Sequence, residues 1–241
     1  MPGYVDLHDH ALPGVDDGAP DLDASLAMLR GLYDLGYRRV ALTPHVRTGY
    51  WENRRPGLER VLASLREAVA AGEPDLADLD LRLGAENFLD DTLFDLLKRG
   101  ELIPLGEGGH VLIELPATGV PPMLEEMLFQ VQLEGLTPVL AHPERYQQLV
   151  TDRDRLRALQ DHGTLLQVSV TSLSGKFGWR TKRSATKLIK DGLCDLVATD
   201  AHSPDDVAQY AAPGLDRLHK LVGAETARRL LEETPNAVLG A

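Results

Sequence analysis

The sequence predicts an α/β protein built as a closed or nearly closed barrel of seven parallel strands, and three observations lead to this prediction. Seven short apolar runs rich in β-branched residues recur along the chain, and most are nearly continuous, as in strands buried on both faces. A segment with helical periodicity follows each run, which is typical of parallel sheets. The length of 241 residues fits one barrel domain, although periodicity alone does not exclude an open sheet.

The elements follow one another in strict alternation. Several of the predicted helices end at a glycine, a common helix stop. No linker or low-complexity stretch divides the chain, so we expect a single domain over 1–241. The predicted strands are 4–8, 38–45, 79–87, 110–116, 137–144, 163–170 and 194–202. The predicted helices are 21–36, 55–72, 91–100, 121–135, 152–163 and 181–192, with two more near 204–222 and 224–233.

Composition excludes several classes of function. The net charge is −12 and no block of lysines or arginines stands out, so we expect no nucleic acid partner, although one local arginine is enough to hold a small phosphorylated group. A single cysteine excludes an internal disulfide and fits a reducing compartment. The first residues lack the basic and apolar regions of a signal peptide, and the apolar runs are strand-sized. We therefore predict a cytoplasmic protein without membrane insertion.

Side chains that bind metals stand at the carboxyl ends of six of the seven predicted strands. In a barrel these ends meet on one face, where active sites form. One histidine at a strand end is usually a polar loop residue, but six such ends indicate a polynuclear metal site. Imidazole and carboxylate without thiolate suit Mn, Fe or Zn and do not choose between them. In chain order these residues are His8, His10, His45, Glu86, Glu114, His142, Asp200 and His202.

The first strand shows how such a site begins. Side chains alternate along a strand, so His8 and His10 point the same way while Asp9 points away and is left out of the site. The turn that follows, "ALPGVDDG", contains two acids, and we expect it to fold an acid back towards the histidines.

These stretches resemble the PHP (polymerase and histidinol phosphatase) superfamily, and within it the bacterial protein-tyrosine phosphatases of capsule and exopolysaccharide systems. The resemblance runs from residue 6 to 202, and "SLSGKFG" separates this branch from the histidinol phosphatases. The fold it implies is a distorted seven-stranded (β/α) barrel. The matching stretches are "DLHDHALPGVDDG", "ALTPH", "GAENF", "VLIELP", "LFQVQLEGLTPVLAHPER", "SLSGKFG" and "VATDAH".

The resemblance also implies three divalent metal ions, with Mn as the expected metal and Fe or Zn as alternatives. Of the two acids in the turn, Asp17 matches the family ligand, and Asp16 is expected to stabilise the turn or to contact a ligand. Catalytic roles fall to Arg145, to the bridging Glu86 and to His202. Carried over by motif, the ligands are His8, His10, Glu86 and Asp200 for the first ion, Glu86, Glu114 and His142 for the second, and Asp17, His45 and His202 for the third.

The implied activity is metal-dependent hydrolysis of phosphomonoesters, above all of phosphotyrosine on a polysaccharide-export tyrosine kinase. Clustered ions lower the pKa of a bridging water, so hydroxide can attack phosphorus without a phosphoenzyme. Cysteine chemistry is excluded by position, since classical tyrosine phosphatases need an arginine six residues after the cysteine and Asp200 follows Cys194 at that spacing. At about 3.3 Å per residue, Cys194 also lies roughly 20 Å from the strand end, so we expect a small buried hydrophobe.

Further residues are expected at the mouth of the site. We expect Arg145 to contact phosphate, with a salt bridge to Glu144 or to the ligands as the alternative. Tyr50 and Trp51 are predicted either to stack on an aryl leaving group or to pack their loop. Lys176 is predicted either to attract an anionic substrate or to stay solvated. The general acid is not evident, and the candidates are Asp205 and Asp206.

One departure from the family pattern keeps other functions open. The stretch "DAHSPDDVAQY" lacks the arginine that usually follows "DAH" in the family. A phosphatase for a small metabolite such as histidinol phosphate is the first alternative, and substrate assays separate it from a tyrosine phosphatase. The second is a metal-binding regulatory module without turnover, which metal content measured together with activity would identify.

Overall fold

The computed structural model describes residues 3–240, in which every paired strand is parallel to its neighbours. This confirms the predicted α/β class. The strands are β1 (Tyr4–Asp9), β2 (Tyr37–Leu42), β3 (His45–Val46), β4 (Asp80–Leu83), β5 (Glu86–Phe88), β6 (His110–Glu114), β7 (Thr137–Ala141), β8 (Leu165–Ser169) and β9 (Leu196–Ala198).

The strands form two sheets, with the orders β1-β2-β4 and β3-β5-β6-β7-β8-β9. Backbone hydrogen bonds bring the first and last strands together: the Asp200 N–H donates to the His8 carbonyl over 2.7 Å, and the His10 N–H donates to the Ala201 carbonyl over 3.0 Å. The carboxyl ends of β1 and β9 are therefore neighbours, as the barrel prediction requires.

The second and third predicted strands were each expected to be continuous, and this was wrong, because each is interrupted. β2 ends before Thr43-Pro44 and β3 follows, while β4 ends before Gly84-Ala85 and β5 follows. Proline has no N–H to continue a ladder, and a Cβ on Gly84 would lie 2.9 Å from Thr43 Cγ2, so the two breaks fit against each other. After each break the chain leaves the smaller sheet and enters the larger one, where β3 begins at His45 and β5 begins at Glu86.

The helices follow the strands as predicted. They are α1 (Leu22–Asp34), α2 (Arg55–Gly72), α3 (Asp91–Arg99), α4 (Leu124–Leu133), α5 (Gln147–Thr151), α6 (Arg153–Asp161), α7 (Val170–Ser174), α8 (Gly178–Lys190), α9 (Pro204–Asp206), α10 (Ala212–Arg228) and α11 (Thr234–Leu239). Short 3₁₀ turns lie at Pro74–Leu76 and Pro143–Arg145, and π-helical segments lie at Val207–Ala211 and Arg229–Glu233.

Local chemistry explains where the long helices begin and end. The Asp21 side chain accepts a hydrogen bond from the Ala24 N–H and caps α1, and Asp90 caps α3 in the same way. α3 ends at Gly100, whose φ of 65° is the left-handed conformation that glycine adopts freely. Gly223 (φ 75°, ψ 171°) interrupts α10 between the two helices predicted near the carboxyl end.

Two clusters of buried apolar side chains fill the molecule. The larger joins the strands to the surrounding helices, and the smaller joins side chains of β1, β2, β6, β7 and β9 to Leu105 and the last helix. Along α2 the buried residues recur at helical spacing, at Leu58, Leu62, Leu65 and Val69. None of the helices in residues 3–240 combines the length and the apolar character that a bilayer crossing requires.

Candidate metal centre

The structure brings all nine predicted ligands together at the carboxyl ends of the strands. They form four overlapping groups, in each of which one donor atom per residue lies within 4.8 Å of the others. The groups are His10, Asp17, His45 and His202; His8, His10 and Asp200; His8, Glu86 and His142; and His45, Glu86 and Glu114.

Glu86 lies at the centre of this arrangement. One carboxylate oxygen, Oε2, is 3.1 Å from His8 Nε2 and 3.1 Å from His45 Nδ1, and the other, Oε1, is 2.9 Å from His142 Nε2. Burial alone would raise the pKa of Glu86, but the surrounding histidines hold it well below its usual value. The carboxylate therefore stays ionised in the interior of the cluster.

Gln167 fixes the orientation of His8 from outside the predicted ligand set. Its Oε1 lies 3.0 Å from His8 Nδ1 and accepts the His142 backbone N–H over 3.4 Å, which identifies the atom as the amide oxygen. An oxygen there requires a proton on Nδ1, so His8 presents the lone pair of Nε2 to the cluster. Sequence reasoning missed Gln167, and its signal was a buried polar residue within the one predicted strand that ended without a ligand.

The two acids of the first turn, Asp16 and Asp17, have different positions in the site. The Asp16 carboxylate lies 2.8 Å from His10 Nδ1 and accepts the backbone N–H groups of His45 and Gly18, so it stabilises the turn and contacts a predicted ligand, as expected. Asp17 is more exposed and lies 3.4 Å from His45 Nε2. Burial opposes protonation of His10, but hydrogen bonds to Asp16 and Glu86 outweigh it and raise the pKa to about 10.

Two predicted ligands have strained backbone. His142 (φ 34°) and Asp200 (φ 55°) are the non-glycine residues with positive φ among residues 3–240. This conformation costs an ordinary side chain roughly 1–2 kcal/mol, and such strain clusters at functional sites. His142 directly follows β7, and Asp200 lies two residues after β9. At both positions the unusual backbone directs the side chain towards the other donor atoms.

Burial and nearby charges raise the pKa of Glu114 and lower the pKa of His142. Burial, followed by the charge of Glu86, raises the pKa of Glu114 to about 8. Burial, followed by the charge of Arg145, lowers the pKa of His142 to about 3. The neutral His142 imidazole and the ionised Glu86 carboxylate offer lone pairs that a divalent cation requires, and such an ion would displace the proton of His10, so these residues fit a divalent ion.

Arg145 lies at the mouth and forms an ion pair with the Asp200 carboxylate. Its guanidinium stacks over the Phe177 ring, 3.7 Å from the ring centre. Glu144, the other partner considered from the sequence, instead accepts the Ser169 N–H and the Ser172 hydroxyl. The salt bridge to a predicted ligand is therefore present here, and contact with phosphate stays a prediction.

Lys176 and Asp206 form a second pair at the mouth. Lys176 Nζ donates to Asp206 Oδ2 over 2.7 Å, and the same oxygen accepts the His202 N–H over 2.9 Å. The interpretation of Lys176 as a solvated side chain was therefore wrong. Asp206 positions His202 and Lys176, whereas its neighbour Asp205 is exposed.

Aromatic rings and one arginine form the rim next to His45. The Trp51 ring stacks on His45 at 4.7 Å between centres, so Trp51 packs its own loop, while Tyr50 is 67% exposed. The Arg47 guanidinium lies between the Tyr50 and Phe88 rings, 4.1 and 4.0 Å from their centres. Because His45 pairs with Glu86 in the sheet, Arg47 and Phe88 lie two residues further out on the same face. Sequence reasoning missed Arg47, whose signal was its alternation with His45.

Cys194 lies outside this centre. It is buried at the start of the segment leading to β9, and its Sγ is 3.3 Å from the Leu196 carbonyl oxygen. Burial raises the pKa of the thiol, which therefore stays protonated and unreactive. The prediction of a small buried hydrophobe is confirmed.

The family model described as "Capsular polysaccharide synthesis, CpsB/CapC" matches residues 4–240. The chain belongs to this family. The Bacillus subtilis tyrosine-protein phosphatase YwqE is 33% identical over 233 residues, which cover 95% of this chain and 89% of YwqE. The Streptococcus pneumoniae tyrosine-protein phosphatase CpsB is 29% identical over 241 residues, which cover 98% of each protein. The predicted branch of the superfamily is thereby confirmed.

Solved structures agree with this assignment. A structure from a study of B. subtilis YwqE and S. pneumoniae CpsB, described as unique metal-dependent tyrosine phosphatases, matches with a TM-score of 0.86 and 30% identity, over 98% of this chain and 94% of that one. A putative 2-pyrone-4,6-dicarboxylic acid hydrolase from Pseudomonas putida matches with a TM-score of 0.61 at 17% identity, over 100% of this chain and 98% of that one. The second likeness concerns the fold alone.

Proposed function

We propose that this chain is a metal-dependent protein-tyrosine phosphatase. The observation that carries the proposal is the convergence of nine histidine and carboxylate side chains on Glu86 at the strand ends. The relatives named as tyrosine phosphatases cover almost the whole chain, which supports the same reaction here.

The nine residues would hold three divalent ions. Glu86 is suited to bridge two of them, because its two oxygens face different histidines. Bound divalent ions would polarise the phosphoryl oxygens and activate water. We expect Mn, with Fe or Zn as alternatives, because imidazole-rich sites disfavour Mg.

The remaining residues bind and orient the substrate. Arg145 supplies a planar guanidinium whose plane is set by Phe177, and we assign it to the phosphoryl group. Tyr50 and Phe88, which flank Arg47, offer ring faces to an aryl leaving group. Lys176, paired with Asp206, lies beside His202. Guanidinium groups and aromatic rings therefore line the mouth, which suits phosphotyrosine.

The proposed substrate is the phosphorylated tail of a bacterial polysaccharide-export tyrosine kinase. The family description, capsular polysaccharide synthesis, supports this partner. A cytoplasmic location is part of the same proposal and rests on the single cysteine.

Substrate competition tests the proposal. Purified protein loaded with Mn is assayed on a phosphotyrosine peptide, a phosphoserine peptide and histidinol phosphate. We expect the highest kcat/KM for phosphotyrosine, because the aromatic rim favours an aryl group. A preference for histidinol phosphate would replace the proposal with a metabolite phosphatase, and bound metal without turnover would indicate a regulatory module.

A further inference from the structure

Helix α8 carries a local concentration of positive charge that overall composition conceals. Its thirteen residues include five cations and no acid, in a chain of net charge −12. No block of lysines or arginines stood out in the sequence, and this helix was overlooked because its cations are interleaved with Ser, Thr and Ala. The five are Arg180, Lys182, Arg183, Lys187 and Lys190.

A groove of about 590 Å³ lies between this helix and the chain around α5 and the start of α6. Its wall on α8 includes Arg180, Arg183 and Lys187, together with Trp179, whose ring is 69% exposed. The opposite wall includes Gln147. The groove thus combines an exposed aromatic ring with several donors for an anion.

Three of the groove cations have no internal counter-charge. Within residues 3–240, no carboxylate lies within 4.0 Å of the charged nitrogens of Arg180, Arg183 or Lys187. Arg153, by contrast, is paired with Asp191. Unpaired cations that line a concave surface attract an anionic ligand more strongly than the same charges scattered over a convex face.

Both walls of the groove stand close in the chain to the mouth of the metal centre. Arg145 stacks on Phe177 at 3.7 Å at the mouth, and the groove lining includes Gln147 and Trp179. Each wall residue lies two positions further along the chain, so its Cα is at most about 7.6 Å from that of the mouth residue. A chain bound at the centre can therefore extend into the groove.

We propose that this groove binds an anionic stretch of the same peptide whose phosphotyrosine enters the metal centre. The inference rests on the proposed function. The distance from the mouth residues to the charged groups of the groove is the span of two chain positions plus the length of the side chains. An extended peptide, at roughly 3.3 Å per residue, covers this distance with about three to five residues. Arg180 and Arg183 match carboxylate or phosphoryl groups with bidentate hydrogen bonds, and Trp179 covers the neighbouring side chain. The groove selects acidic or multiply phosphorylated tyrosine segments.

Two peptides with one phosphotyrosine each test this selection. One carries glutamates three to five residues away, and the other carries glutamines there. The double variant Arg180→Ser/Arg183→Ser should lower kcat/KM for the acidic peptide roughly tenfold, mainly through KM, because two charge-assisted contacts are lost. Turnover of the neutral peptide and of a small aryl phosphate should stay within about twofold. Arg60→Ser, an exposed arginine on α2, is the matched control and should change none of the three.

An equal loss of kcat/KM for both peptides, or no loss for either, would contradict the proposal that the groove binds the anionic stretch. If neither peptide is hydrolysed, the proposed function fails, and the groove is then judged by binding alone. Fluorescence anisotropy of a labelled acidic peptide should show weaker binding to the double variant than to Arg60→Ser and the parent. Equal binding by all three proteins would contradict the inference.

Discussion

At the scale of single residues, the geometry of the centre depends on side chains that are not predicted ligands. Gln167 orients His8, Asp16 orients His10, and Asp206 holds the backbone of His202. Such partners fix which nitrogen faces the cluster. Gln167 is hard to predict from the sequence, because it lies 159 positions from His8, whereas Asp16 and Asp206 lie only six and four positions from the residues they contact.

Arg145 and His142 are three positions apart but should respond differently to substitution. We expect Arg145→Ala to keep its metal and to lose about 10²-fold in kcat/KM, or roughly 3 kcal/mol of transition-state stabilisation. His142→Ala should lose metal as well as rate, because its Nε2 lies 2.9 Å from the central Glu86 carboxylate. Elemental analysis beside steady-state kinetics measures both effects.

The comparison separates two roles for the arginine. Loss of metal from Arg145→Ala would show that its contact with Asp200 maintains the ligands rather than the phosphate. Retention of both metal and full rate would show that the guanidinium has no part in the reaction.

The buried thiol supplies a negative prediction. Cys194→Ser should leave turnover within a few fold of the parent, since the side chain lies outside the four donor groups. Turnover on an aryl phosphate, with circular dichroism as the folding control, checks this. A collapse of rate in a well-folded variant, or a phosphocysteine intermediate, would restore thiol chemistry.

At the scale of elements, the sequence predicted helix bounds well where the apolar periodicity extends over many residues. α2 begins and ends at the predicted residues, 55 and 72, because apolar residues at helical spacing mark its whole length. The five-residue helices α5 and α7 were missed, since one turn and a half gives no measurable period. The breaks after β2 and β4 have local signals in Pro44 and Gly84, but the close approach of Gly84 to Thr43 is tertiary and could not be predicted from either segment alone.

Helix packing makes a prediction with a built-in control. A Cβ on Gly214 in α10 would lie 2.3 Å from the Val170 carbonyl oxygen at the start of α7, so Gly214→Ala should destabilise the fold by about 1–3 kcal/mol. A Cβ on Gly57 in α2 would meet only the end of the Arg60 side chain, at 4.0 Å, so Gly57→Ala should stabilise by roughly 0.4–1 kcal/mol. Urea denaturation measures both, and the same sign for both variants would contradict the packing described.

At the scale of the whole molecule, parallel topology explains why a one-dimensional pattern located the centre. Strand ends converge in space, so residues spread from His8 to His202 were predictable as one cluster from their position alone. Features built between elements were not predictable in this way. Arg47 is positioned by the rings of Tyr50 in the following loop and Phe88 in β5. The net charge of −12 gave no indication of the basic groove along α8.

The central claim is that metal held by the strand-end cluster carries out phosphotyrosine hydrolysis, and metal removal tests it most directly. The protein is stripped with chelator, its metal content is verified by elemental analysis, and turnover of a phosphotyrosine peptide is measured before and after reloading. We predict that stripping abolishes turnover and that Mn restores it better than Mg, because the cluster is rich in imidazole. Full turnover by the verified metal-free protein would contradict the account.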